Sequence, residues 1–303
     1  MNSQSEAVPG AGLQGMSRAG EAARPFYWSV RRELWENRSI YIAPLAVAGL
    51  ALVAFSLSAT AGIWEPALRL DPMQPQGPYD MVAGLIMLTA IIVTVFYCLD
   101  ALHSERRDRS VLFWKSLPVS DRTTVLAKAS IPLVVLPLLG FALAVVVEFV
   151  MLLVSSVVVA AGGQSVAALW SHIAFFRMSL LLLYHLLTAH VLWPAPIYCW
   201  LLLVSGWARR AAFLWAVLPL VAIAGFERIA FHSTHFAQTV GWRIIGGGAP
   251  HADTSGPDMF PTNPMTHITP GHFLSSPSLW IGLALAAVFL AAAIRLRRYQ
   301  GPL

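Results

Sequence analysis

Glu148 stands alone in an apolar run that extends from near Ala129 to Ala161. An ionised carboxylate is costly in hydrocarbon, and such groups usually face a cavity, a partner or the interior of a helix bundle. Glu148 is therefore a candidate residue of a transport pathway. The alternatives are a protonated, hydrogen-bonded structural acid, or an acid near the outer interface of a long helix. His185 and His190, inside the run from Met178 to Trp207, lie five apart. Two metal ligands share a helical face at i,i+4, so these histidines read as packing residues. His232 and His235 are close enough to share a metal, but no Cys or acidic set at ligand spacing accompanies them, and no metal site is expected. No GxSxG or HExxH arrangement supplies a nucleophile or a catalytic metal.

The densest group of chemically capable side chains is LHSERRDRSVLFWKSLPVSDRTTVLAK, residues 102–128, set between two apolar runs. Ser104 is placed to cap a helix with Glu105 and Asp108 in its first turn, where acids favour the positive end of the helix dipole. Glu105 and Arg109 make an i,i+4 pair. This helix should continue through SVLFWKSL and stop near Pro118, after which Ser120 caps a second helix with Asp121 in its first turn. Val111, Leu112, Phe113, Trp114 and Leu117 give the first piece more apolar surface than a solvated loop carries, yet it is too short and too charged to cross a bilayer. Such surface suits docking, either to lipid headgroups or to a cytoplasmic protein.

The elements that must hold these residues are set by composition. The chain is 57% hydrophobic and 12% charged, far below the roughly 25% charge of a soluble domain. A helix crossing a core of about 30 Å needs about 20 mostly apolar residues. Six runs qualify, near 40–63, 81–101, 129–161, 178–207, 211–231 and 278–294. The expected fold is an all-α integral membrane protein with six transmembrane helices. Arg and Lys gather before the first run, in 102–128, at Arg209 and Arg210, and after the sixth, whereas the other connections hold only Arg69, Arg177 and Arg243. Basic residues near span ends stay on the cytoplasmic side, so both termini are expected there and 232–277 is expected outside. The net charge of +5 thus marks topology and calls for no nucleic acid.

Residues 1–24 lack the apolar core of a signal peptide and read as a disordered tail. PFYWSVRRELWENRS, 25–39, carries Phe26, Val30 and Leu34 at helical spacing with Tyr27, Trp28 and Trp35 beside them, the pattern of an amphipathic interfacial helix lying on membrane lipid. Cys98 and Cys199 each sit inside an apolar run, so no disulfide framework is indicated. FAQTVGWRIIGG, 236–247, is apolar enough to fold back into the outer leaflet, where helical pieces satisfy the backbone best.

A span ending in an acid, followed by Glu105, a short charged helix, Ser110, Leu112, Leu117, Pro118, Val119, Ser120, and Lys128 opening the next span, resembles the permease subunits of type-2 ABC exporters. The segment 193–219, WPAPIYCWLLLVSGWARRAAFLWAVLP, is similar to a subgroup of them. The resemblance covers nearly the whole chain and implies that 102–128 forms a coupling helix seated in a cleft of a cytoplasmic ATPase subunit. On that reading Glu105, Arg106, Arg107, Arg109, Ser110, Leu112, Phe113, Trp114 and Pro118 are the coupling residues. Arg109 stands where the family usually has Gly.

The residues themselves supply no GxxxxGK[ST] loop, since IIGGGAP at 244–250 has no following Lys-Ser/Thr. The chain is expected to hold no cofactor of its own; the implied ATPase partner would bind ATP and Mg. The other implied partners are a second permease copy or a related permease, in a bacterial inner membrane. Two readings of other classes stay open: an intramembrane enzyme using Glu148 and the span histidines on a lipid-linked or peptide substrate, and a non-transporting scaffold.

Overall fold

A computed structural model describes residues 25–61, 77–108, 119–173, 175–245 and 270–299. Among these there are helices and no strands. A first helix, α1, covers residues 25–36. It is followed by α2 (Ser39–Thr60), α3 (Gly77–Asp100), the short α4 (His103–Arg107), α5 (Asp121–Ser130) and α6 (Leu136–Ala161). The chain continues through α7 (Val166–His172), α8 (Phe175–His185), α9 (Ala195–Trp207), α10 (Ala212–Phe231), α11 (His235–Ile245), α12 (Pro270–Ser275) and α13 (Pro277–Tyr299). Six helical stretches are long and apolar enough to cross a membrane: Ser39–Thr60, Gly77–Arg107, Asp121–Ala161, Val166–Leu192, Ala212–Phe231 and Pro277–Tyr299. The chain is a multi-pass helical membrane protein.

Two of these stretches are irregular, and proline explains where. Between α5 and α6 the backbone widens into a π turn, Ile131–Val135, with Pro132 and Pro137 at and just beyond it. Proline offers no N–H to the carbonyl four residues back and crowds it, and the wider turn lets the helix run on. In the run 178–207, a π turn at Leu186–Leu192 is followed by a break at Trp193 and Pro194, and α9 begins afresh at Ala195. Pro196 lies in the first turn of α9, where a missing N–H costs nothing. What reads in sequence as one long span is thus two helices.

The same π turn brings the two histidines together despite their spacing of five. An i→i+5 turn superimposes residues five apart rather than four, and the His185 and His190 rings meet with centroids 5.6 Å apart at 65°. Another correction concerns Ser104. It lies inside α4, its hydroxyl donating to the Asp100 carbonyl at 2.9 Å, and α4 begins at His103 with no side-chain cap. Ser120 does cap α5, accepting the Thr123 N–H at 3.1 Å, with Asp121 in the first turn.

The helices pack around α3. Its second half, with Val93, Tyr97 and Cys98, joins Tyr198, Leu201 and Leu202 of α9, Ile131 and Leu136 of the third stretch, and Ile40 of α2. Its first half, with Val82, Ile86 and Met87, joins Ala48 and Phe55 of α2 and Ala144, Met151 and Leu152 of α6. α9 lies closely along α13, with Cys199 against Ala286. α10 stands at the edge, and only Ala212 and Ala216 along it are buried. Ala211 and His232, at its two ends, both adopt φ of 50°, a left-handed backbone that lets the chain reverse sharply but disfavours a side chain.

Candidate functional site

The N-terminal helix, α4, the start of α5 and the end of α13 meet at one end of the bundle, and charged side chains are sealed between them. Glu105 of α4 is 5% exposed, Glu33 of α1 1% and Lys128 of α5 2%. The Lys128 ammonium donates to Glu33 Oε1 at 2.8 Å and lies 3.1 Å from Glu105 Oε1. Arg32 Nη2 spans the same two carboxylates, donating to Glu33 Oε1 at 2.9 Å and to Glu105 Oε1 at 3.0 Å. Arg297, near the end of α13, donates through Nη1 to Glu105 Oε2, and its Nε is 3.2 Å from Asp121 Oδ1. The Tyr97 hydroxyl of α3 donates to Glu33 Oε2 at 2.9 Å.

Three cations, Arg32, Lys128 and Arg297, therefore face three carboxylates, Glu33, Glu105 and Asp121. Buried charge is tolerated when paired and hydrogen-bonded. Here each carboxylate oxygen of Glu105 and Glu33 has a donor. Removing one member of such a set leaves an uncompensated charge, at about 3–5 kcal/mol. The network joins elements far apart in the chain, and its two buried acids are the points through which they join.

α4 is fixed from its other side by the end of α9. The last carbonyls of a helix have no partner within it and carry partial negative charge. Arg106 Nη1 donates to the Gly206 carbonyl at 2.5 Å, and His103 Nδ1 donates to the Ala208 carbonyl at 3.1 Å. The Leu102 N–H reaches Ser205 Oγ at 3.4 Å. Gly206 suits this close approach: a Cβ there would stand 3.3 Å from Leu102 Cδ1, which would have to give way slightly. Glu105 is thus held between a rigid helix end and the charge network, with its carboxylate turned inward.

The sequence-derived site residues divide accordingly. Glu105 is at the centre of the network and Arg106 ties α4 to α9. Arg107 is exposed and pairs with Asp108 at 3.2 Å on the surface. Arg109, Ser110, Leu112, Phe113, Trp114 and Pro118 lie outside the described residues, as do the tail 1–24 and residues 246–269 of the segment expected outside. Glu148 is 1% exposed on α6, within the cluster formed with α2 and α3, and its Oε2 has no hydrogen-bond partner. The expected Glu105–Arg109 pair also reaches beyond the described residues.

Sequence reading missed Glu33 and Arg297 as partners, and took Lys128 as a topological charge and as the residue opening the third span, not as a buried partner of acids. A signal was present: Lys128 lies in VLAKAS, one charge in an apolar stretch, where an unpaired ammonium would be costly. Glu33 differs in no such way from Glu36, yet Glu36 stays half exposed beside Arg32, at 3.4 Å. On the outward face of α1, the Arg31 guanidinium lies over both Trp28 and Trp35, 5.1 and 4.7 Å from the ring centroids.

At the opposite end of the bundle α11 is anchored by a single cation. Arg243 Nη1 donates to the Trp193 carbonyl at 3.0 Å, and its guanidinium lies 4.8 Å over the Trp193 ring. This satisfies a carbonyl at the break before α9. Arg243 Nη2 reaches the carbonyl and hydroxyl of Ser278, at the start of α13. Gly282 makes the space, since a Cβ there would collide with the guanidinium. Glu227 caps the beginning of α11, accepting the His235 and Phe236 N–H groups, both at 2.9 Å.

Among the described residues no group of three or more His, Cys, Asp or Glu side chains could hold a metal ion. No known protein family, curated protein or solved structure matches the chain.

Proposed function

We propose that this chain is the membrane-spanning permease subunit of an ATP-binding cassette exporter, working as a dimer and driven by a separate cytoplasmic ATPase. The observation that carries the reading is the buried charge network. A device that converts ATP hydrolysis in one protein into helix movement in another needs a docking element rigidly joined to the spans it must move. α4 leads directly into residues 109–118, and Glu105 joins it to α1, to the stretch beginning with α5 and to α13. A displacement of α4 is then shared by several spans, because separating them would expose buried charges. The resemblance of 102–128 to a coupling helix supports the same assignment, as does the want of a phosphate loop in this sequence.

On this proposal the end of the bundle holding the network faces the cytoplasm of a bacterium, in agreement with the distribution of Arg and Lys. α1 lies in the headgroup layer with Trp28, Arg31 and Trp35 toward lipid. ATP and Mg are held by the partner. Glu105 acts as a positioning residue rather than as a contact for the ATPase, while Arg107, Arg109, Leu112, Phe113 and Trp114 provide the contact.

The test is purification of the full chain from membranes in mild detergent, with mass spectrometry and ATP hydrolysis of the product. An ATPase carrying a phosphate loop is expected at one copy per permease chain, and Trp114→Ala with Arg107→Glu should release it without loss of the permease from the membrane. A preparation free of any such ATPase, or one whose association ignores both substitutions, sinks the proposal.

A further inference from the structure

Glu148 is the one deeply buried carboxylate that the charge network does not use among the described residues. It is 1% exposed and its Oε2 is unpartnered, in a cluster whose other members include Ala48, Ile86, Met87, Met151 and Leu152. An ionised carboxylate so placed is costly, and among the described residues no cation pairs with it. It can stand as the neutral acid.

Polar groups follow it toward the end of α6. Ser155 lies seven residues further along α6, two turns or about 10 Å on the same face. Its hydroxyl is fully buried and 3.0 Å from that of Tyr79, in the first turn of α3. The next residue, Asp80, lies in the same first turn of α3. These groups lead toward the face where α3 begins and α6 ends, away from the charge network. The other helices packed against α6 carry titratable groups too: Arg177, His185 and His190 on α8 and its π turn, and His172 on α7. α2 brings only Tyr41, near the network end of that helix.

We propose that Glu148 is a proton-binding site, reached from the face of the membrane where α3 begins and α6 ends, with Asp80 and the Tyr79–Ser155 hydroxyl pair as its access. The proton leaving the Glu148 carboxyl is taken by the Asp80 carboxylate and passed to water at that face. Water entering from that face carries the proton over the about 10 Å between Glu148 and the hydroxyl pair, and only O–H bonds break and form. Chains of carboxylates and hydroxyls inside a membrane protein commonly serve this purpose. Proton binding does not depend on the ATPase partnership, and its failure would leave that reading untouched.

The experiment is infrared difference spectroscopy of the full chain in sealed phospholipid vesicles, with the orientation of the chain fixed beforehand by protease access to its termini. The parent should show the carbonyl band of a protonated carboxylic acid that is lost in Glu148→Gln. That band should titrate with the pH on the face carrying Tyr79 and Asp80 while the other compartment is clamped. Asp80→Asn should shift its midpoint, and Ser155→Ala should slow its exchange with deuterium oxide. If Glu148→Gln fails to accumulate, the midpoint and the exchange rate in the other two variants carry the test. A missing band, a band unmoved by pH in both parent and Asp80→Asn, or one that follows the opposite compartment, overturns the site.

Discussion

Replacing Glu105 by Gln keeps its size and removes its charge, leaving Arg32, Lys128 and Arg297 with Glu33 and Asp121 alone. Lys128 is 2% exposed and Arg297 9%, so neither can turn to water to recover the lost solvation. Breaking a buried pair by removing one partner costs about 3–5 kcal/mol, a large part of the 5–15 kcal/mol by which proteins are stable. At about 2–4 °C per kcal/mol for a chain of comparable size, the midpoint of thermal unfolding should fall by roughly 10 °C. The chain carries its own reporters: Cys98 and Cys199 are free and 0% and 1% exposed. A dye that fluoresces on reaction with thiols will report their exposure during heating in detergent. Asp108→Asn is the control, because Asp108 pairs with Arg107 on the surface, where the loss should be under about 0.5 kcal/mol. Glu105→Gln combined with Arg297→Gln should cost less than the sum of the two alone. A Glu105→Gln protein that melts with the parent, or strict additivity in the pair, would refute the view that these charges hold the elements together.

Gly282→Ala should displace the Arg243 guanidinium and lose its bonds to Trp193 and Ser278, costing about 1.5–3 kcal/mol; Arg243→Ala should cost as much, and the two together little more than either, as the same thiol melt would show. Ala211→Gly should stabilise the chain by about 1 kcal/mol, since it relieves a left-handed backbone; a lowered melting midpoint would count against the reversal described between α9 and α10.

The spans were legible because hydrocarbon imposes a length and a composition that few sequences meet by accident. The cap at Ser120 was legible too, because its requirement is local: an oxygen within reach of a nearby N–H. The break in the run 178–207 was less so. Prolines are tolerated in membrane helices, and Pro194 alone does not tell whether the chain bends, widens or stops. His185 and His190 show the same difficulty, for whether residues five apart share a face depends on a π turn that no residue type announces. The network was the least legible part. Glu33 and Glu36 sit one turn apart on one helix, and only the arrival of Lys128 and Arg297 from elsewhere makes Glu33 a buried acid and leaves Glu36 near the surface. Glu105 was found as an important residue, but with Arg109 as its partner, because an i,i+4 pair was the only one that sequence alone could offer.

The span of chain between Glu105 and Arg297 bears on how the protein is made. These two residues are 192 apart, whereas Lys128 and Glu33 are 95 apart. A ribosome delivers the amino-terminal pieces first, so Lys128 can settle against Glu33 and Glu105 while most of the chain is still unsynthesised. Glu105 Oε2 and Asp121 must wait for the final helix. A nascent chain truncated before α13 leaves Glu105 held through Oε1 alone and Asp121 without Arg297, and the arrival of that guanidinium makes both remaining contacts. The last clasp of this end of the bundle is thus fastened late in synthesis, by a single guanidinium.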